Sequence, residues 1–380
     1  MDAEKFLQAL HTSGISLFAG VPDSYLHGLC SCLREKYPEW SNIVTANEGN
    51  AIGVACGHYL ATGGIPLVYM QNSGLGNAVN PLASLTQPPM YSIPMVLLIG
   101  WRGQSGAGDH VQHEIQGRIT LPMLELLSIP YQILDDNCDV YDISAWAVRN
   151  ATERKGAVAL IVPKGVLSGV KHAPIPNSNY PLTRKSAMEC VLGCVSDDTL
   201  CVPTTGRAAR ELYWLRESLG LNHANDVLNV GSMGHASSIA LGVAQSLPKR
   251  QVICFDGDAA ALMHMGSLAI IGQSKCTNLL HVVLNNGQHE SVGGQPSVAW
   301  EIDLTGIARS CGYACSESWV SDAQGISSAI KNLSNGNAPG FLEIRVSPGL
   351  EKGTPPLEID SSEIRESFML SACGASCGQK

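Results

Sequence analysis

Residues 251–291 constrain this chain more than any other stretch. They open Gln251-Val-Ile-Cys-Phe-Asp-Gly-Asp258 and continue through the small, apolar run Ala259-Ala-Ala-Leu-Met-His-Met-Gly266. They close Leu279-Leu-His-Val-Val-Leu-Asn-Asn-Gly-Gln-His-Glu-Ser291. Residues 252–255 and 279–284 are short apolar runs of the buried-strand type. The residues between are rich in helix formers. Strand, tight turn, helix and strand describe a parallel βαβ unit, whose ligands bind outside the carboxyl ends of the strands. Two turns lie at that edge. Gly257-Asp258 sets a carboxylate beside a helix N-terminus, where free N–H groups suit a phosphate. Asn285-Asn286-Gly287 offers amide and backbone oxygens, donors that suit Mg²⁺ with substrate phosphates in its shell. Taken singly, each turn is also ordinary Asp-Gly or Asn-Gly punctuation. Taken together they look like a Mg²⁺–diphosphate clamp.

The same alternation runs through the whole chain. Strands are predicted at 15–19, 43–46, 66–71, 95–100, 131–134 and 157–162, with helices at 2–12, 24–37, 49–62, 76–86, 119–128 and 140–154. The pattern then begins again. Strands at 199–202, 227–230, 252–255, 279–284, 314–319 and 341–345 alternate with helices at 206–219, 235–247, 260–273, 301–311 and 322–334. This predicts an α/β protein of two similar, doubly wound parallel-sheet domains. The first spans 1–172 and the second 183–366. Residues 173–182, rich in Pro and Asn, read as a stiff linker. The small-residue tail 367–380 reads as frayed.

Composition narrows the class. Of 380 residues, 45% are hydrophobic and 15% charged, which places the chain among core-rich globular proteins. A net charge of −9 without a Lys/Arg run argues against nucleic acid and anionic membranes as partners. No apolar run approaches the roughly 20 residues that span a bilayer. Met1-Asp-Ala-Glu-Lys-Phe6 lacks the layout of a signal peptide. The 13 cysteines are odd in number. Cys30/Cys32 and Cys373/Cys377 could pair on a metal, but the set reads as buried thiols in a reducing cytoplasm.

Four further places carry candidate chemistry. Glu48, in Asn47-Glu-Gly-Asn-Ala51, is a lone carboxylate among small residues at a strand-to-helix junction; a helix N-terminal acid suits the dipole there. Asn229-Val-Gly-Ser-Met-Gly-His235 is a turn holding Met233, a residue that fills cores equally well. Asp23, after Gly20-Val-Pro, reads as the N-cap of helix 24–37 or as a site acid. The Gly-rich loop after residue 100 carries Arg102, His110, His113 and Arg118. Such a loop can close over a site, and its charged groups are otherwise solvated. Gly74-Leu-Gly76 lacks the third glycine of a dinucleotide fingerprint.

Gly257-Asp258 and Asn286, twenty-eight residues beyond Asp258, resemble the thiamine diphosphate fingerprint of Gly-Asp-Gly, spacer, Asn-Asn. One position departs: Ala259 stands where the second glycine is usual, which matters if a positive φ or close phosphate approach is needed. With Gly20-Val-Pro-Asp-Ser24, Asn47-Glu-Gly-Asn-Ala51, Gln71-Asn-Ser-Gly-Leu-Gly-Asn77 and the Met233 turn, the chain resembles thiamine-dependent 2-oxoacid decarboxylases without a middle domain. Within them it is most similar to the phosphonopyruvate decarboxylase group, with sulfopyruvate decarboxylases as near relatives.

That resemblance implies a pyrimidine-binding first domain, a diphosphate-binding second domain, and thiamine diphosphate with Mg²⁺ as cofactors. It implies that Asp258, Asn286 and the Gln288 carbonyl hold the metal, at a turn formed with Gly257 and Ala259. Glu48 would bond the pyrimidine N1′, the Gly231 carbonyl would accept from the 4′-amino group, and Met233 would keep the cofactor bent. Asp23 or His113 would assist proton transfer, with His110, an extra histidine in the same segment, as an alternative donor. Arg102 and Arg118 would meet the phosphonate, with His289 and Ser291 lining the pocket. The implied reaction takes 3-phosphonopyruvate through an ylid and an enamine to phosphonoacetaldehyde and CO₂, in phosphonate metabolism such as antibiotic biosynthesis. The alternatives are sulfopyruvate decarboxylation, carboligation, or a regulatory subunit without activity. The implied partners are a small acidic 2-oxoacid and further copies of the chain, in a homodimer or larger homo-oligomer with shared active sites.

Overall fold

The computed structural model describes residues 1–37, 40–169, 179–334, 336–349, 354–355, 357 and 360–374. The chain divides into two compact units. The first comprises Met1–Ala173 with Val292–Gln295, and the second Pro174–Ser291 with Pro296–Lys380.

In the first unit the order is α1 (Ala3–Thr12), β1 (Ile15–Gly20), α2 (His27–Glu35), β2 (Asn42–Val44), α3 (Glu48–Thr62), β3 (Ile65–Gln71), α4 (Leu75–Pro81), β4 (Met95–Gly100), α5 (Glu114–Leu126), β5 (Tyr131–Ile133), α6 (Val140–Arg154) and β6 (Ala157–Val162). Six strands form one sheet in the order β2-β1-β3-β4-β6-β5. Every pairing is parallel. Strands buried on both faces need continuous apolar sequence, and β4 (Met-Val-Leu-Leu-Ile-Gly) and β6 (Ala-Val-Ala-Leu-Ile-Val) are buried throughout. Each large aliphatic side chain so buried contributes about 1.5–3 kcal/mol. One apolar cluster lies on each face of the sheet, the first built on Phe6, Phe18 and Tyr69, the second on Ile52, Met70 and Ile99. The strand order reverses between β1 and β3, and open sheets bind ligands at such a reversal. Asp23 follows β1, and Gln71 ends β3.

The second unit contains α7 (Arg184–Leu192), β7 (Leu200–Pro203), α8 (Arg207–Leu219), α9 (Ala236–Ser246), β8 (Val252–Gly257), α10 (Asp258–Met263), α11 (Ser267–Gln273), β9 (Leu279–Asn285), α12 (Leu304–Cys311), α13 (Ala323–Leu333) and α14 (Ser361–Cys373). Its five-stranded parallel sheet runs Ala314–Cys315, Gly340–Arg345, β9, β8, β7. Two doubly wound parallel sheets are therefore present, as the alternation predicts.

Several elements depart from expectation. Residues 227–230 form no strand; an isolated bridge joins Cys201 to Asp226, and the chain then leaves the sheet. The helix expected over 260–273 is two helices, parted where His264 turns to φ −130° and ψ 47°. The helix over 76–86 continues past Pro81 as a π turn, since proline cannot donate to the carbonyl four residues back. The helix expected from 119 begins at Glu114. The strand expected over 314–319 keeps only two residues. The linker lies partly, and Cys377 wholly, outside the described residues; of the tail expected to fray, residues 367–373 are the end of α14. Among the described residues, no helix is long and apolar enough to cross a membrane.

Candidate active site

In the first unit Glu48 opens α3. Asn47 caps that helix, its side chain accepting from Asn50 N at 2.9 Å. Glu48 is 4% exposed, and its Oε2 accepts from Asn77 Nδ2 at 2.8 Å. Burial raises its pKa above the ordinary carboxylate value, opposed by the Asn77 bond. Gly74 makes the room: a Cβ there would lie 2.3 Å from Glu48 Oε1.

Asp23 is fully buried. Its Oδ1 accepts from Gln71 Nε2 at 2.6 Å and its Oδ2 from Tyr25 N at 2.9 Å. Burial raises its pKa, with Gln71, the Tyr25 amide and Arg102 opposing. The capping reading fails here. The helix starts at His27, with Leu26 as N-cap and no side-chain cap bond. Gly100 serves Asp23 as Gly74 serves Glu48, since a Cβ on Gly100 would come within 2.2 Å of Asp23 Oδ2.

The Gly-rich loop is held by an ion pair. Arg102 Nε and Nη2 donate to Asp109 at 2.7 and 2.6 Å, and Nη1 donates to Ser24 Oγ at 3.1 Å. The guanidinium sits 5.0 Å over the Tyr25 ring, and Tyr25 OH donates to Asp109. Burial resists ionisation of Asp109, but Arg102 and the Gly103 and His110 amides outweigh it and hold its carboxyl well below the usual range. Arg102 is thus already paired. Arg118 is exposed on α5, and His110 is exposed beside Asp109. His113 is partly buried, and burial, then the Arg102 charge, push its pKa down to about 4. Its imidazole is neutral at pH 7.

In the second unit Gly257 ends β8 and Asp258 starts α10. Asp258 is 3% exposed. Burial pushes its pKa up to about 6, against hydrogen bonds from Ser297 Oγ and the Ala259 amide. Among the described residues no cationic side chain forms an ion pair with it. Ala259 lies within α10 and is absent from the left-handed positions, so a methyl group suits its backbone. The second turn is closed by its own side chains. Asn285 Oδ1 accepts from Gly287 N at 3.0 Å, and Asn286 Oδ1 from Gln288 N at 3.1 Å. Gly287 has φ +67°, and a Cβ there would meet Trp300 at 2.6 Å. Gln288 is buried, His289 is partly buried with its pKa pushed down to about 4 by burial, and Ser291 is exposed. Gly231 donates its N–H to Asn229 Oδ1 at 3.3 Å. Met233, partly exposed, packs in neither hydrophobic cluster of this unit.

The residues fit the cofactor named above. A buried carboxylate without a cationic partner calls for a cation, and Asp258 is one. A buried carboxyl with raised proton affinity suits a heterocyclic nitrogen, and Glu48 is one. Among the described residues Cys30 and Cys32 join no group of three potential metal ligands. Among the described residues the one such group is Cys254, Asp256 and His281, all buried. There Asp256 already accepts from Gly257 N at 3.0 Å and lies 3.3 Å from His281 Nε2.

Sequence reasoning gave no roles to Asn77, Gln71, Asn72, Asp109 or Glu290. Asn72 ties the loop down, donating to Arg102 O at 2.8 Å and accepting from Arg102 N at 3.1 Å. For Gln71, Asn72 and Asn77 the run of polar residues in Gln71-Asn-Ser-Gly-Leu-Gly-Asn77 after an apolar strand was the available signal.

Residues 3–121 match the model of the thiamine pyrophosphate enzyme N-terminal TPP binding domain, and residues 205–344 that of the C-terminal TPP binding domain. The chain belongs to the thiamine pyrophosphate enzymes, among those that decarboxylate 2-oxoacids. It is 33% identical over 371 residues to phosphonopyruvate decarboxylase of Streptomyces viridochromogenes, covering 93% of this chain and 91% of that one. It is 32% identical over 366 residues to phosphonopyruvate decarboxylase of Streptomyces hygroscopicus, covering 92% and 88%. It is 27% identical over 386 residues to sulfopyruvate decarboxylase of Methanosarcina acetivorans, covering 96% of each.

Proposed function

We propose that the chain decarboxylates 3-phosphonopyruvate to phosphonoacetaldehyde and CO₂, with thiamine diphosphate held through Mg²⁺. The observation that carries the cofactor chemistry is the buried Glu48 carboxyl of raised proton affinity, set at the start of α3 in space left by Gly74. When bound, thiamine diphosphate supplies the electron sink that lets CO₂ leave a 2-oxoacid. In this reading Asp258, Asn286 and the Gln288 carbonyl hold the metal, and Gly257 and Ala259 form the phosphate turn. Glu48, Gly231 and Met233 hold the pyrimidine. Glu48, its proton affinity raised by burial, would exchange a proton with the ring nitrogen. Asp23, His113 and His110 are the candidates for proton transfer; burial raises the proton affinity of Asp23 and lowers that of His113. Arg102, whose charge is shared with Asp109, and Arg118 are the candidates to meet the substrate's second anion, with His289 and Ser291 as candidates to line the pocket.

Two relatives of that name, matched over about nine-tenths of this chain, support the phosphonate substrate. The match to a sulfopyruvate decarboxylase supports the sulfonate as the second reading. A homodimer or larger homo-oligomer belongs to the same proposal, and a monomer in sedimentation at working concentration would count against it.

The test is CO₂ release and aldehyde formation with thiamine diphosphate and Mg²⁺, comparing phosphonopyruvate, sulfopyruvate and pyruvate. A preference for phosphonopyruvate is expected. Preference for sulfopyruvate moves the assignment to the second reading, and no turnover of any, with cofactor bound, refutes both.

A further inference from the structure

We propose that Glu290 is a positioning residue for the divalent metal. It turns the Asn286 amide so that the nitrogen is bound and the carbonyl oxygen is left for the ion. The inference rests on the reading of Asn286 as a metal ligand, and it concerns a residue to which the fingerprint gives no role.

Glu290 lies four residues past Asn286 and is 7% exposed. Its Oε2 accepts from Asn286 Nδ2 at 2.9 Å and from Arg184 Nη1 at 3.0 Å. Its Oε1 pairs with Arg207 Nη1 at 2.8 Å and accepts from Gly349 N. Arg184 in turn donates Nε and Nη2 to Glu211 at 2.7 and 3.0 Å. The result is a row of alternating charge, Glu211, Arg184, Glu290, Arg207, directly behind the second turn.

The orientation of Asn286 follows from donor chemistry. A carboxylate held by two guanidinium groups offers only acceptors. The atom of Asn286 that meets it must therefore be the NH₂ group. The Gln288 amide asks for the same orientation from the other end, since it donates to Asn286 Oδ1 at 3.1 Å. Hydrogen-bonded partners of this kind, one step behind the ligands, orient ligands and tune metal affinity. Buried charge networks are weak contributors to stability, and apolar replacements are often as stable. A role in orientation accounts for four charges being kept here.

The same geometry explains why residue 286 is an amide. A carboxylate is ordinarily the stronger Mg²⁺ ligand. An Asp at 286 would instead set two carboxylates face to face, where Asn286 and Glu290 now share a bond.

The experiment titrates Mg²⁺ into the full chain at fixed, saturating thiamine diphosphate, with binding read by calorimetry and by tryptophan fluorescence. Glu290→Gln should weaken the Mg²⁺ midpoint by about 10- to 100-fold. Asn286→Asp should weaken it too, against the trend for a carboxylate ligand. The double variant should bind Mg²⁺ better than Asn286→Asp alone, because a glutamine can donate to the new carboxylate. Glu211→Gln breaks the same charge row without touching Asn286; it should lower the melting temperature and leave the midpoint in place. A wild-type midpoint in Glu290→Gln, or equal midpoint shifts in Glu290→Gln and Glu211→Gln, would overturn the proposal. If Glu290→Gln does not fold, tighter Mg²⁺ binding by Asn286→Asp overturns it and weaker binding upholds it. Absence of Mg²⁺-dependent cofactor binding in the unaltered chain would instead refute the metal-ligand reading of Asn286 itself.

Discussion

Glu48 shows how a fold raises the proton affinity of an ordinary carboxyl. Its type and its place at a helix start are local, but its proton affinity comes from burial among residues brought by α4 and the turn before it. Glu48→Gln keeps the shape and removes the exchangeable proton. Turnover should fall by about 10²- to 10⁴-fold, with the circular dichroism spectrum and melting temperature unchanged; near-normal turnover would take Glu48 out of the chemistry. His113 permits a stability test. Its folded pKa of about 4 lies below the unfolded value of 6.5. Between those values the unfolded chain binds more protons, so stability is lost as pH falls from about 6.5 toward 4. In denaturant unfolding at pH 7 and pH 5, His113→Gln should lose less stability between the two than the parent does. An identical loss would show that His113 is not held neutral. Glu48, Asp258 and Asn286 could be singled out as candidates because each sits in a contiguous motif at a strand end. Asp109 and Glu290 could not, because their roles lie in partners. Arg184 meets Glu290 across 106 positions, and no periodicity encodes that.

At the scale of elements, packing decided what propensity left open. The run Ala259-Ala-Ala-Leu-Met-His-Met-Gly266 favours an unbroken helix by composition. The chain breaks at His264 instead, where the imidazole packs over Gly234 so closely that a Cβ there would lie 2.7 Å from its Cδ2. Helix α5 meets the Gly-rich loop at similarly short range. A Cβ on Gly117 would fall 1.8 Å from Gly103 O, and Trp101 Nε1 donates to Gly117 O at 2.9 Å. Gly117→Ala should therefore force helix and loop apart and destabilise the first unit by about 1–3 kcal/mol, measured by denaturant unfolding. Unchanged stability would mean that the loop yields freely and that the Arg102–Asp109 pair does not depend on this packing.

For the molecule as a whole, ligand and fold should be thermodynamically linked. Thiamine diphosphate with Mg²⁺ at about 100 times its Kd should add about 2.7 kcal/mol to stability. This would be read as a rise in melting temperature that EDTA reverses; no rise would mean that the folded chain lacks the site. The linkage joins what is local to what is not. Alternating apolar strands and helices require parallel sheets, because each pattern spans only a few residues and must bury both strand faces. The Gly257-Asp258 and Asn285-Asn286 turns are likewise contiguous, so the sequence by itself determined the two-sheet architecture and the cofactor class. Only the tertiary structure decided which charges are paired with one another, as in Arg102–Asp109 and the Glu290 row, and which carboxyls have their proton affinity raised, as in Asp23 and Glu48. Those properties depend on desolvation and on partners far away in the chain, and neither exists until the whole chain has folded around them.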